Sequence, residues 1–172
     1  MSTTSHPGGC HDEFKGESGH PVSMDTPEIL GAADLDGDGD LDVFVANDGN
    51  TARSGGVWRR DGCVLQRVVG VDGLPFTYIY EATGRGCAPA CYPSVECQRS
   101  GSLIALVVSE ADAVRASPGA EPSPLSDDLP YRWRVRRFRL EGNAMVAITA
   151  DEGTARHRDL PVPKEQGFRC LT

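Results

Sequence analysis

The sequence predicts an all-β protein of short antiparallel strands, and three observations carry that expectation. Apolar residues recur in short runs or alternate with polar ones at period two rather than at helical spacing. Turn-forming residues punctuate those runs, with 20 Gly and 12 Pro in 172 residues. Helix signals are thin: only Ser109 to Ala116 has the composition for a turn or two of helix, and its apolar spacing is poor.

Taken in order, residues 1–26 are rich in Gly, Ser, Thr and His without periodicity and read as an irregular, flexible arm. Strands are expected near Glu28 to Ala33, Leu41 to Asn47, Gly56 to Arg60 and Val64 to Val69, separated by the turn signals GDGD, NDGN, RSGG and RRDG. This first unit spans 27–75. A second unit, 76–150, supplies Thr77 to Ala82, Ser102 to Glu110, Tyr131 to Leu140 and Ala144 to Ala150, and 151–172 reads as a C-terminal tail. The two sets of four strands suggest an imperfect duplication of a four-stranded antiparallel unit. Two insertions interrupt the second set. One is the cysteine-rich GRGCAPACYPSVECQRSG; the other carries Pro118, Pro122, Pro124 and Pro130, which excludes a central strand and favours an extended surface excursion.

Composition bounds the function. With 39% apolar and 6% aromatic residues the chain holds one domain, or two small ones, around a modest core. The longest apolar stretch, Leu103 to Val108, has the length of a strand and falls far short of the roughly 20 residues of a spanning helix. A net charge of −8 argues against generic nucleic-acid binding, which needs a basic surface. The first twenty residues lack the apolar centre of a signal peptide. That leaves a mature domain, export by another route, or a protein that stays inside the cell. Six cysteines, Cys10, Cys63, Cys87, Cys91, Cys97 and Cys170, form an even set that suits up to three disulfides, and sequence does not choose among the 15 pairings. Disulfides are favoured over free or metal-bound thiols on compartment logic, and the spacing of Cys87, Cys91 and Cys97 makes no CxxC pair with a second knuckle to follow.

The strongest chemical signal is DLDGDGDLD, which sets Asp34, Asp36, Asp38, Asp40 and Asp42 at every second position. Carboxylates at this density repel one another by several kcal/mol per close pair unless a cation lies among them. Calcium is the expected resolution, since it accepts six to eight oxygen ligands with flexible geometry, whereas magnesium dehydrates reluctantly. Side-chain oxygens of Asp34, Asp36, Asp38 and Asp42 are the expected ligands, with the main-chain carbonyl of Asp40. Gly37 and Gly39 would supply the positive backbone dihedrals such curling needs. An EF-hand is excluded: the twelfth position from Asp34 is Val45 rather than Glu, and the flanks alternate as strands.

On these residues the stretch GAADLDGDGDLDVFVANDG, followed by GVWRRDGCVLQRVVGVDGL, resembles a VCBS or FG-GAP repeat, the calcium-loop unit of integrin-alpha-like and cartilage-acidic-protein-like β-propellers. The resemblance covers roughly 28–75. It implies a loop between the first two strands of a blade, rigidified by calcium at Asp34, Asp36, Asp38, Asp40 and Asp42. Residues 76–150 have blade-like strand order but no second Asp series. A closed propeller needs four to eight blades and this chain has material for two or three. A fragment of a larger propeller, an open two-sheet sandwich stapled by disulfides, and a subunit with its open edges covered by another chain are the outcomes left, the last two being favoured together.

Other constellations read as structural. His6, Cys10, His11 and His20 match no zinc module, and His157, near Asp151, Glu152 and Asp159, has no nucleophile motif to serve. In YRWRVRRFRL, Arg132, Arg134 and Arg136 share one strand face, opposite Trp133 and Val135, and a bulge near Arg136 and Arg137 would return Phe138 and Leu140 to the apolar side. The arginines could dock an acidic partner or polyanion, but a charged face that deters edge aggregation and pairs with the surplus Asp and Glu is the favoured reading. The expectation is a non-enzymatic, calcium-binding β module for extracellular or surface interaction with protein or glycan. Alternatives are an accessory subunit of a larger assembly and, behind it, a calcium-dependent hydrolase.

Overall fold

The computed structural model describes residues 28–47, 52–61, 64–82, 91–101, 103–114 and 129–170. It is all-β, as expected, with one 3-10 turn at His157–Asp159 as the only helical element among the described residues. The strands are β1 (Ile29–Ala33), β2 (Asp42–Asn47), β3 (Ala52–Asp61), β4 (Val64–Arg67), β5 (Val69–Gly70), β6 (Thr77–Ala82), β7 (Ser94–Ser100), β8 (Leu103–Ala113), β9 (Pro130–Glu141), β10 (Ala144–Arg156) and β11 (Gly167–Arg169). No helix among the described residues is long and apolar enough to cross a membrane.

Two sheets result. The first runs β1-β2-β3, and the free side of β3 is shared by β6 along Ala52 to Gly56 and by β4 along Trp58 to Asp61. The second runs β11-β7-β8-β9-β10-β5, antiparallel except for the parallel outer pairs β11–β7 and β10–β5. This departs from the two-set expectation in three places. β6, read as opening the second set, pairs with the first sheet. The cysteine-rich insertion yields β7, paired with both β8 and β11. Residues after Ala150 carry β10 on to Arg156 and return as β11. The stretch Ser109 to Ala113, the one candidate for helix, completes β8. The 1–26 arm, most of the proline-rich insertion, and Cys10, Cys63 and Cys87 lie outside the described residues.

Apolar side chains from both sheets fill one interior: Ala33, Leu35, Phe44, Val57 and Val68 from the first half meet Val95, Leu106, Val108, Phe138, Leu140 and Met145 from the second. Among the described residues, three contacts close the side where β1 and β6 meet β7 and β11. The Cys97–Cys170 disulfide ties β7 to the residue after β11. A side chain at Gly31 of β1 would place its Cβ 2.6 Å from the Cys170 carbonyl oxygen, so glycine lets the two edges touch. The Gln166 amide bridges the sheets, its oxygen accepting from Ala82 N–H at 2.7 Å and its nitrogen donating to the Cys91 carbonyl at 3.1 Å. Cys91 is also disulfide-bonded.

Sheet two buries both of its faces, but at different ends. Near the interior, Leu106, Val108, Phe138 and Leu140 point inward. Toward the far end, the opposite face takes over: Val107, Ala111, Tyr131 and Val135 pack under Leu160 and Val162 of the segment that follows β10. Successive strand residues alternate faces, so this exchange explains the phase shift in YRWRVRRFRL without a bulge in β9. Its register with β8 is unbroken from Tyr131 to Phe138, and the irregularity lies in β10 between Ala147 and Thr149. Arg132, Arg134 and Arg136 therefore share a face with Phe138 and Leu140, which corrects the expected bulge.

Tyr78 of β6 lies flat across β3, and a Cβ at Gly55 would come within 2.5 Å of its ring and hydroxyl. Tyr78 is 3% exposed and stacked against Phe168 at 6.1 Å, so it has little room to retreat. Gly55→Ala should cost about 1–3 kcal/mol, as overpacked cores do, seen as a lower urea midpoint with an unchanged slope. An unchanged midpoint would mean that the ring yields freely.

Candidate metal centre

The acidic motif forms the turn between β1 and β2. Gly37 and Gly39 sit at φ 79° and 91°, the left-handed conformations expected of them. Those twists aim main-chain N–H groups inward at Asp34, whose two carboxylate oxygens accept from Gly37 at 2.8 Å and Gly39 at 3.1 Å. Asp36 accepts from the N–H of Asp38 at 3.3 Å, and Asp38 from that of Asp40 at 2.8 Å. Each aspartate thus caps backbone two to five residues ahead, and the turn winds around its own carboxylates.

The outcome is convergence of three of the four expected side-chain ligands. Asp34, Asp36 and Asp38 each present a carboxylate oxygen, all within 4.8 Å of one another. Asp40 and Asp42 are not in this group. Asp42 opens β2, is 2% exposed, and uses one oxygen to accept from Leu35 N–H at 3.0 Å, pinning the entry of the turn to its exit. An oxygen-only trio of carboxylates suits a hard divalent cation rather than a thiophilic one.

The sequence reading missed a sixth participant. Arg59 of β3 places Nε 2.9 Å from Asp36 and donates from Nη2 to Asp38 at 3.0 Å, a positive charge set against the acidic turn. The Asp38 carboxyl is held below its ordinary range, first by the Asp40 N–H and then by Arg59. Alternation along β3 puts Arg59 on the same face as the buried Val57, but the turn–strand pairing that brings it to the acidic turn is not readable from spacing.

Elsewhere the candidates are mostly occupied. Arg134 pairs with Glu152 at 3.1 Å and Arg136 with Glu110, while Arg132 stands opposite Asp112 in the β8–β9 register. The His157 ring packs against Tyr92 and Tyr131 at centroid distances of 5.5 and 5.6 Å. Beside the Arg136–Glu110 pair, a cleft of about 320 Å³ is lined by Ile79, Pro93, Glu110 and Asp112 among others. The Asp112 carboxyl is pushed up there, chiefly by burial and then by Glu110. Sequence reasoning did not single out this Glu110–Asp112 pair.

No family model, curated protein or solved structure matches the chain. What the fold and site define is a class, a small all-β protein whose first turn gathers carboxylates around a point.

Asp42 gives the site a pH signature. Burial, reinforced by the carboxylates of Asp36 and Asp38, pushes it up to about 6 against an ordinary 3.8, with the Leu35 N–H opposing. Between these values the folded state holds a proton that the unfolded chain has released. Stability therefore falls as pH rises from about 4 to 6, and the full penalty is present above. Asp42→Asn keeps an acceptor for Leu35 without the charge. In chelator at pH 7 it should be more stable than wild type by up to about 3 kcal/mol, and the gain should largely vanish near pH 4. A gain that persists at pH 4 would assign it to shape rather than charge.

Proposed function

We propose that this protein is a non-enzymatic, calcium-stabilised β module that presents loops and strand edges to a protein or glycan partner, outside the cell or at its surface. The observation that carries the calcium reading is the convergence of Asp34, Asp36 and Asp38 on one point, with main-chain N–H groups of the same turn holding their carboxylates in place. The resemblance of residues 28–75 to VCBS and FG-GAP repeats supports the same reading. Asp34, Asp36 and Asp38 would hold the ion, assisted by the Asp40 main-chain carbonyl, while Asp42 stays beneath the turn on the Leu35 N–H. Calcium supplies positive charge that lets the carboxylates approach. The residues around it fix the turn between β1 and β2, and with it the register of the first sheet.

A second reading, an accessory subunit of a larger assembly, is favoured by the edge of β10. Among the described residues, no strand lines its outer side beyond Met145, and Ile148 there is 52% exposed. Such an edge is a template for another chain's strand.

Thermal unfolding separates the two readings. At calcium 100-fold above its dissociation constant a structural site adds about 2.7 kcal/mol, or about 5–10 °C in Tm for a chain of this size. The expected result is that rise in calcium, absent in magnesium and absent in Asp34→Ala. A Tm indifferent to calcium and chelator would overturn the calcium reading and leave the subunit reading.

A further inference from the structure

We propose that Arg59 is the turn's built-in counter-cation, and that a divalent cation enters this site only by displacing it. The inference rests on the calcium reading above and adds how the site is controlled. All six oxygens of the convergent carboxylates are already engaged, five as hydrogen-bond acceptors and Asp36 Oδ2 through an ion pair with Arg59 Nε. Asp34 spends both on Gly37 and Gly39, whereas Asp36 and Asp38 each give one oxygen to the backbone and turn the other, Oδ2, toward Arg59. The side chains of Arg59 and Asp36 are only 25% and 12% exposed, so water screens this contact weakly.

The two Oδ2 atoms are where guanidinium and metal compete. Calcium binds carboxylate oxygen at about 2.3–2.6 Å. With Arg59 nitrogens at 2.9 and 3.0 Å from the same atoms, the two cations would stand about 4 Å apart, where like charges repel strongly. Arg59 is long and attached to a strand near its exposed end, where β3 meets β4, so it can swing out while the backbone stays. The site is then an exchange site. Metal-free protein keeps its turn folded with arginine, and calcium binding releases a guanidinium onto the β3–β4 surface. This lowers the intrinsic affinity of the turn and confines loading to calcium-rich surroundings, while giving the bound state a surface charge that the free state lacks.

The test is calcium titration by calorimetry of the full chain as wild type, Arg59→Gln, Arg59→Lys and Arg67→Gln. Arg67 lies over the Trp58 ring on the neighbouring strand, and its substitution removes the same charge without touching Asp36 or Asp38. The expected result is binding about tenfold tighter in Arg59→Gln, an intermediate gain in Arg59→Lys, and less than about a twofold change in Arg67→Gln. In wild type, the Arg59 Nε–H resonance should move to a solvent-exposed position as calcium saturates. Equal affinity in wild type and Arg59→Gln, or equal gains in Arg59→Gln and Arg67→Gln, would overturn the exchange while leaving the calcium site intact. Weaker binding in Arg59→Gln would overturn it too, making Arg59 a positioning residue. Binding in none of the four would overturn the calcium reading and the exchange with it.

Discussion

The first sheet depends on neutralising the carboxylates of its opening turn. Five aspartates in nine residues would splay the chain apart, yet this turn must bring β1 and β2 side by side and deliver Leu35 and Phe44, which are 1% and 0% exposed, into the interior. Three devices share the task. Backbone N–H groups, freed by two left-handed glycines, dock on Asp34, Asp36 and Asp38. Arg59 reaches over from β3. Asp42, buried beneath, ties the two ends of the turn together through the Leu35 N–H. The cost falls on Asp42, since its burial near Asp36 and Asp38 opposes its own ionisation. That residual cost is what a divalent cation would relieve.

The second sheet solves a different problem. A strand as long as β9, Pro130–Glu141, extends past the interior core, and its far end would be left with two wet faces. The chain instead folds the 157–162 segment across the outer face, burying Tyr131 and Val135 there, and lets the inner face carry arginines matched to carboxylates on β8 and β10. One strand thereby serves two cores on opposite faces. The ion pairs are exposed enough to contribute little energy each. Their weight lies in keeping a charged sheet face from pairing with other chains.

The fold class was legible because turn residues and period-two alternation are local signals, and the curled acidic turn because the Asp series and its glycines act within a few residues of one another. What was not legible is what distant residues decide. β7 hid in a cysteine-rich stretch because SVECQRS looks like a strand only once β8 and β11 flank it. The phase shift in YRWRVRRFRL invites a bulge, and nothing in those ten residues announces that a later segment will cover the other face. Within the site, Asp34, Asp36 and Asp38 converge as their spacing suggests. Asp42 keeps the spacing but is drawn beneath the turn by β2 pairing, since a residue inside a ladder cannot turn to the loop without leaving its register. Arg59 was invisible because its partnership with the turn is made by the β2–β3 hairpin.

The most direct test of the turn as a cation site is a crystal structure from crystals grown in millimolar calcium, with the metal located by its anomalous scattering. The account predicts one ion bound by Asp34, Asp36 and Asp38 oxygens at about 2.3–2.6 Å, with the Arg59 guanidinium swung clear of Asp36 and Asp38. A turn with no ion and Arg59 still seated on both carboxylates would contradict it.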